Sequence, residues 1–488
     1  MGDVLPFFVG GEWRYGSGDV FESINPADGS VAAVVAKGSA ADVDAAVSAA
    51  RHALDDRRWR DLKTPERARL LYAFADAIEN DRDALARAQM DDNGKTLAEC
   101  RSQALSAAAT VRYYAGVCET VEAEITPQRG EYLSLTTYEP AGVVAAITPW
   151  NSPLTLEAQK FAPILAAGNT IILKPSEITP QVSLRYARLA ARVGFPPGVF
   201  NVVTGLGSQV GEALVVHPGV DMVTFTGGTD TGRHVATLAA ARLIPVLLEL
   251  GGKSPNVVFD DAAIDHAVAG AIYGIFSSGG QSCIAGSRIF VQDAIYDRFV
   301  PRLVEAARKL RIGPPTDAST DVSPMASFPH RDRVRDQVEA AARDGAELLC
   351  GGAPPSDSHL RTGAYFMPTV LALADNKLAI AQQEVFGPVA SVLRFYQEED
   401  LIAQANDTVY GLACGLWTAD YKKALRVARR MKVGTVWINT YKQASISTPF
   451  GGCKASGVGR EKGIQGMRAY MTQKSLYLGL NEQPIAWP

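Results

Sequence analysis

No stretch of this 488-residue chain approaches the roughly 18 consecutive apolar residues that a membrane helix needs. The opening MGDVLPFFVGGEW lacks a basic region followed by a long apolar one, so no secretory leader is expected, and Pro6 spoils a myristoylation signal. Cysteine is sparse, with six residues, Cys100, Cys118, Cys283, Cys350, Cys414 and Cys453, scattered without paired spacing. That argues against a disulfide scaffold and against a zinc site, and for a reducing, cytoplasmic setting with no metal. Around MDDNGK, residues 90 to 95, Gln89 occupies the place where a calcium loop needs its first carboxylate, so the stretch reads as a helix end. The net charge is only −4, which gives no reason to expect a nucleic-acid partner. One basic run, Lys422 to Lys432, interleaves Ala424, Leu425, Val427, Ala428 and Met431 at helical spacing, the pattern of a solvated helix face. Internal repeats and low-complexity tails are also missing.

What remains is an ordinary globular composition, 47% hydrophobic and 20% charged, in a chain long enough for about three domains' worth of material. A short hairpin-like start leads through INPADG into alanine-rich helices at Ala40 to Leu54, Pro65 to Asn80 and Arg82 to Met90. Residues 125 to 138 then turn β-branched and aromatic, as an exposed hairpin would. From Ala141 the pattern becomes strand and helix in alternation, through AGVVAAIT, TIILKPS, VFNVVTG and DMVTFTG. Apolar strands separated by helices of that length predict a parallel sheet covered on both faces, with a ligand at the carboxyl ends of its strands. A second series, read as starting near Leu247 and running past Lys422, predicts another α/β lobe, and YMTQKSLYLGL from Tyr470 alternates like a strand seeking an edge.

The most unusual residue is Cys283, in GGQSCIAG. A lone cysteine is commonly a small core hydrophobe, but this one follows the apolar helix Ala267 to Ser278 and two glycines, Gly279 and Gly280, that break the helix and present the thiol at a tight turn. Other motifs also admit two readings. FTGGTDTG places Gly227, Gly228 and Gly232 between a strand and a helix, either as a pyrophosphate cradle or as tight turns between layers; TGLGSQVG, with Gly207, is similar. Glu249 ends an apolar strand in LELGGKSPN, as a paired structural charge or as a base whose proton affinity is raised by its surroundings. Asn151, in ITPWNSP, could cap the next helix or donate to an oxyanion. The coincidence matters: a thiol, a carboxyl and an amide, all where strands or loops end, are the set needed for covalent chemistry on a carbonyl.

ITPWNSP at 147 to 153, KPSE at 174 to 177, FTGGTDTG at 225 to 232, LELGGKSPN at 248 to 256, GGQSC at 279 to 283, EVFGP at 384 to 388, NDTVYGLA at 406 to 413 and PFGGCKASGVGRE at 449 to 461 together resemble the aldehyde dehydrogenase superfamily, in its order and across nearly the whole chain. The resemblance implies Cys283 as nucleophile, Glu249 as general base, and the Asn151 amide with the Cys283 N–H as oxyanion hole, with Lys160 and Glu461 on a proton path behind the base. It implies that NAD is held by Lys174 and Glu177 at the adenosine ribose, by Thr148, Trp150, Gly207, Gly227, Gly228, Gly232 and Leu250 along the channel, and by Glu384 and Phe386 at the nicotinamide half. Gly228 stands where a serine is common in the family, so one hydroxyl contact is lost while the backbone donors remain. Glu177 would bond free ribose hydroxyls and repel a 2′-phosphate, which favours NAD while leaving NADP as an alternative acceptor. None of the six histidines, His52, His217, His234, His266, His330 and His359, lies in these motifs, so glutamate is the expected base.

A glutamate at the base position further implies a free acid as product, not an acyl group passed to coenzyme A. The substrate pocket is expected from Ser152, Thr155, Leu156, Gln159, Ser282, Ile284, Lys442, Ala444 and Phe450. Gln159 and Ala444 stand where relatives taking quaternary-ammonium aldehydes are aromatic, so a polar, semialdehyde or bulky functionalised aldehyde of a degradation pathway is expected, with Lys442 either meeting an anion or simply solvated. Two other classes compete: a thiol hydrolase acting through Cys283 and Asn151, and a non-catalytic cofactor-binding protein. The expected organisation is a Rossmann-like cofactor domain from 1–121 and 141–250, a catalytic α/β lobe from 251–455, and a small β element from 122–140 and 471–488 that makes a homodimer or homotetramer.

Overall fold

The computed structural model of the protein describes residues 3–482 and 484; positions 1 and 2 of the expected cofactor domain, and 483 and 485–488 of the expected oligomerisation element, lie outside them. Two covered sheets carry the α/β architecture. The first runs in the order Gly457–Val458, Val246–Glu249, Met222–Thr226, Val143–Ile147, Thr170–Lys174, Phe200–Val202, Phe7–Val9, Glu12–Arg14. Its five central strands are parallel, and its outermost strands are antiparallel additions from the two chain ends. All five residues of Val143–Ile147, Thr170–Lys174 and Met222–Thr226 are buried, as strands covered on both faces must be.

The second sheet runs Glu347–Cys350, Thr369–Leu373, Val389–Phe395, Arg288–Gln292, Pro255–Val258, Ala413–Trp417, Thr435–Ile438, parallel except for its first strand. The second series therefore starts at Pro255 and not near Leu247: the strand Val246–Glu249 pairs with Met222–Thr226 and closes the first sheet. The chain passes between the sheets through Leu250, Gly251 and Gly252.

Helix boundaries follow local chemistry. Ser39 and Asp42 form a reciprocal capping box at the start of Ala40–Asp55. Gly94, at φ 73°, ends Arg82–Asn93 where MDDNGK was read as a helix end. The helix before Cys283 spans Ile264–Phe276, and the break starts earlier than the glycines: Ser278 is itself left-handed at φ 57°. The basic run lies in and beyond the helix Tyr421–Ala428, where Arg426 and Arg430 pair with Glu398 and Glu399.

A third sheet stands apart from both cores. Met471–Gly479 pairs antiparallel with Tyr132–Pro140 along its whole length, and Glu124–Ile125 adds a short third strand. Leu476, Tyr477, Leu478 and Leu480 are all exposed there. No helix among the described residues is long and apolar enough to cross a membrane.

One buried side chain fixes the second sheet to the crossing segment. Arg288 donates to the carbonyls of Lys253 (3.0 Å), Gln404 (3.2 Å) and Ala405 (2.8 Å) and to Asn376 Oδ1 (2.9 Å). Replacement by leucine strands these acceptors in the core, so Arg288→Leu is expected to cost about 3 kcal/mol or more, read as a lower urea midpoint; an unchanged midpoint contradicts this.

Candidate active site

The carboxyl ends of the first sheet's parallel strands open into a groove of 840 Å³ lined by Thr148, Trp150, Lys174, Glu177, Gly207, Gly227 and Gly228, among others. Each residue arrives there because its strand has just ended. The Thr148 N–H donates to the Lys174 carbonyl at 3.1 Å, which locks the first two strand ends together. Lys174 Nζ reaches the Pro175 carbonyl (2.7 Å) and Glu177 Oε2 (3.4 Å), so ammonium and carboxylate share one corner. Gly228 occupies the N-cap of the helix Thr229–Ala240, and a Cβ added to it or to Gly207 would meet nothing within 4 Å. That is open space facing a helix amino end, a cradle for a pyrophosphate. Gly232 plays a different part: it is buried, and its Cβ would lie 2.3 Å from Leu250 Cδ2, so it lets the helix close on the chain crossing.

A second cavity, of 340 Å³, adjoins the groove, sharing Pro149, Trp150, Thr226, Gly227 and Gly228 with it. Asn151, Glu249, Cys283, Glu384, Phe386, Leu250 and Leu156 all line it. The strand ends of one sheet and the helix break of the other meet here. A Cβ on Gly252 would fall 2.3 Å from the Cys283 carbonyl oxygen, and one on Gly280, at φ 71°, would fall 2.1 Å from that of Gly387. Neither position can carry a side chain without moving the thiol.

Asn151 does not cap the following helix; Ser152 occupies the N-cap of Pro153–Ala166, and without a side-chain cap bond. The Asn151 amide instead donates through Nδ2 to the Gln281 carbonyl at 3.0 Å, which leaves its second hydrogen free in a cavity that Cys283 also lines. Its own backbone is steadied by Asn93, whose Nδ2 donates to the Trp150 carbonyl at 3.0 Å.

Glu249 is not a paired structural charge. It is buried, and neither carboxyl oxygen has a hydrogen-bond partner among the described residues. Burial, and then the negative charge of Glu461, push its pKa well above the carboxylate range, with Lys160 pulling the other way. Behind it Lys160 Nζ donates to Glu461 Oε1 (2.7 Å) and to Thr224 Oγ1 (2.9 Å), a buried polar chain that Tyr470 extends. The Cys283 thiol is pushed up to about 12 by burial first and then by Glu384 and Glu249. Glu384 accepts from the Gly252 N–H at 2.9 Å, and burial raises it to about 7.

His330 was not expected here, and its ring stands in the cavity, 5.2 Å between centroids from Trp150. Its Nε2 donates to the Phe386 carbonyl at 2.8 Å, pinning Phe386 in the left-handed conformation at φ 57°. Burial lowers its pKa to about 4, so it is neutral near pH 7. Nothing in its surroundings in sequence marked it. Ser152, Thr155, Gln159, Ser282, Ile284, Lys442 and Phe450 are half-buried and Ala444 is exposed, and of the expected substrate residues Leu156 is the one that lines the cavity with Cys283.

A thiol held near 12 is protonated at neutral pH. In the cofactor-free protein, alkylation of Cys283 by iodoacetamide, followed on its own peptide by mass spectrometry, is expected to rise about tenfold per pH unit from 7 to 10. A plateau below pH 9 contradicts that burial.

Residues 13–476 match the aldehyde dehydrogenase family. The chain is 40% identical over 482 residues to the betaine aldehyde dehydrogenase of Bacillus subtilis (strain 168), covering 98% of each protein. In structure it superposes with a TM-score of 0.97 on a betaine aldehyde dehydrogenase of Staphylococcus aureus in complex with NAD+, at 39% identity, over 99% of this chain and 96% of that one. A variant of an aldehyde dehydrogenase from Bacillus cereus gives a TM-score of 0.96 at 39% identity, over 98% and 97% of the two chains. Motif order, double-sheet architecture and these likenesses over almost the full length agree, and the chain belongs to the aldehyde dehydrogenase family.

Proposed function

We propose that this protein oxidises a polar aldehyde to the free acid with NAD, through a thioester on Cys283. The observation that carries the reading is the convergence of Cys283, the partnerless Glu249 and the Asn151 amide on one cavity that adjoins the glycine-lined groove. NAD-bound relatives and the open cradle over Gly207 and Gly228 support the cofactor, and Glu177 beside Lys174 suits free ribose hydroxyls better than a 2′-phosphate. Likeness to betaine aldehyde dehydrogenases supports a polar substrate. A hydrolase reading gives no use to the groove.

In this reading the Cys283 sulfur attacks the aldehyde carbon as its proton goes to Glu249 in the ionised form, whose raised proton affinity makes it a strong acceptor once it has shed its resting proton. The alkoxide of the thiohemiacetal lies between the free hydrogen of Asn151 Nδ2 and the Cys283 N–H, which has no acceptor among the described residues. Bound NAD supplies the hydride acceptor. Glu384 and Phe386, the latter pinned by His330, would hold the nicotinamide, with Trp150 packed against Phe386. Glu249 first passes the thiol proton to the Lys160–Glu461 pair behind it. As a carboxylate again, it takes a proton from the water that attacks the thioester, which releases the acid and the Cys283 thiolate; that second proton leaves by the same pair.

The same reading assigns 1–121 and 141–250 to the cofactor, 251–455 to the nucleophile, and 122–140 with 471–488 to assembly as a dimer or a dimer of dimers in the cytoplasm. Six free cysteines suit a reducing compartment, and the exposed strand Met471–Gly479 is an open edge that a second copy would cover.

NADH absorbance with an aldehyde panel tests the chemistry. Cys283→Ala is expected to lose turnover by about 10⁴-fold or more, and Asn151→Ala to lower kcat by about 10²- to 10³-fold. Wild-type turnover in the Cys283→Ala protein overturns the proposal. For assembly, light scattering of Tyr477→Lys/Leu478→Glu is expected to give a mass near the 52.0 kDa of one chain, where the unaltered protein gives a multiple; equal masses contradict it.

A further inference from the structure

The segment 441–463 grips the catalytic loop from both sides. On one side Tyr441 OH donates to the Ile284 carbonyl at 3.1 Å, next to the nucleophile, while the adjoining Lys442 Nζ donates to Ser277 Oγ at 2.7 Å. On the other side Gly451 lies against the base, where a Cβ would come 2.7 Å from Glu249 Oε1. Phe450 and Glu461 bridge each other through both backbone bonds, at 2.8 Å each, and the Gly463 N–H donates to the Ile446 carbonyl at 2.7 Å. This zipper seats Lys462 with its Nζ 4.8 Å from the centroid of the Phe450 ring.

Both lysines occupy left-handed backbone, Lys442 at φ 56° and Lys462 at φ 62°, a conformation that side-chain-bearing residues rarely hold without a reason nearby. The acids around them are already committed. Glu99 is bonded by Lys95, Gln103 and Ser278, and Glu461 by Lys160. Glu249 favours its proton, and Glu384 accepts from Gly252 on the nicotinamide side. Arg460 Nη1 donates only to the Gly452 and Gly459 carbonyls. Neither Lys442 nor Lys462 has a carboxylate within ion-pair distance among the described residues, and both ammoniums lie close enough to the Cys283 thiol to pull its pKa down, so the thiol faces two cations that no acid neutralises.

We infer that the aldehyde carries an anionic group at the end remote from its reacting carbon, and that Lys442 and Lys462 receive it. This rests on the dehydrogenase reading above and names its substrate class. Burial and then Lys95 lower the Lys442 ammonium to about 8, a cost that an arriving carboxylate relieves. A trimethylammonium group would meet the same charge as its own.

The test compares kcat/KM, by NADH formation, for ω-oxo carboxylic acids, alkanals of the same length and ω-trimethylammonio aldehydes. The oxo acids are expected to lead. Lys442→Gln and Lys462→Met should each cut the ratio of oxo acid to alkanal about tenfold, and Lys442→Arg should retain it. Alkanals or cationic aldehydes in the lead, or a ratio that the two neutral variants leave unchanged, overturn the inference while NADH from alkanals keeps the dehydrogenase reading standing. No NADH from any aldehyde overturns both.

Discussion

The approach of the Gly252 backbone to the Cys283 carbonyl is the constraint on which the rest of the site depends. The chain leaves one sheet at Glu249 and enters the other at Pro255, and in between it passes so close to the nucleophile's loop that no Cβ fits. The Glu249 carboxyl at the end of one sheet and the Cys283 thiol beyond the end of a helix under the other thereby face one cavity. Arg288 holds the near side of that crossing by the Lys253 carbonyl, and Glu384 takes the Gly252 N–H. Gly252 of LELGGK makes room for the Cys283 carbonyl and Gly280 of GGQSC for that of Gly387, so the two motifs give the thiol's loop clearance on different sides.

The electrostatics follow from the same burial. Glu249, Glu384 and Cys283 all sit where desolvation is the first cause of their shifts, and each anion would raise its neighbours further. The resting cavity therefore stores protons. Among the described residues Lys160 is the cation that acts most strongly on Glu249, ahead of Arg460 and Lys462, and it is bound to Glu461 and Thr224. Such a site favours charge that forms during reaction over charge held beforehand, and in the proposed mechanism the Asn151 amide, held by the Gln281 carbonyl, would meet that charge together with the Cys283 N–H.

Much of this was legible in the sequence because glycine and strand patterns are local. The central strands of the first sheet, the broken helix before Cys283 and the glycine turn at 227 to 228 all follow from residues adjacent in the chain. The antiparallel additions at Phe7–Val9 and Gly457–Val458 do not, since so short a strand exists only by virtue of its partner. His330 escaped for a similar reason: what brings it to Trp150 is the left-handed Phe386, more than fifty residues away. The Lys95, Glu99 and Ser278 cluster and the seat of Lys462 are likewise products of contacts between distant segments. Local pattern also starts the second series near Leu247, because an apolar strand does not declare which sheet it joins.

The central claim is that oxidation runs through an acyl group on Cys283 whose release needs Glu249. The direct measurement is a stopped-flow burst of NADH from the Glu249→Gln protein with NAD and a turned-over aldehyde, followed by mass analysis of the quenched chain. The account predicts a burst slower than that of the unaltered protein, because the thiol proton has lost its acceptor, but still reaching about one NADH per active chain, and an acyl adduct that persists on the Cys283 peptide. NADH released with Cys283 unmodified, or an adduct on another residue, would contradict it.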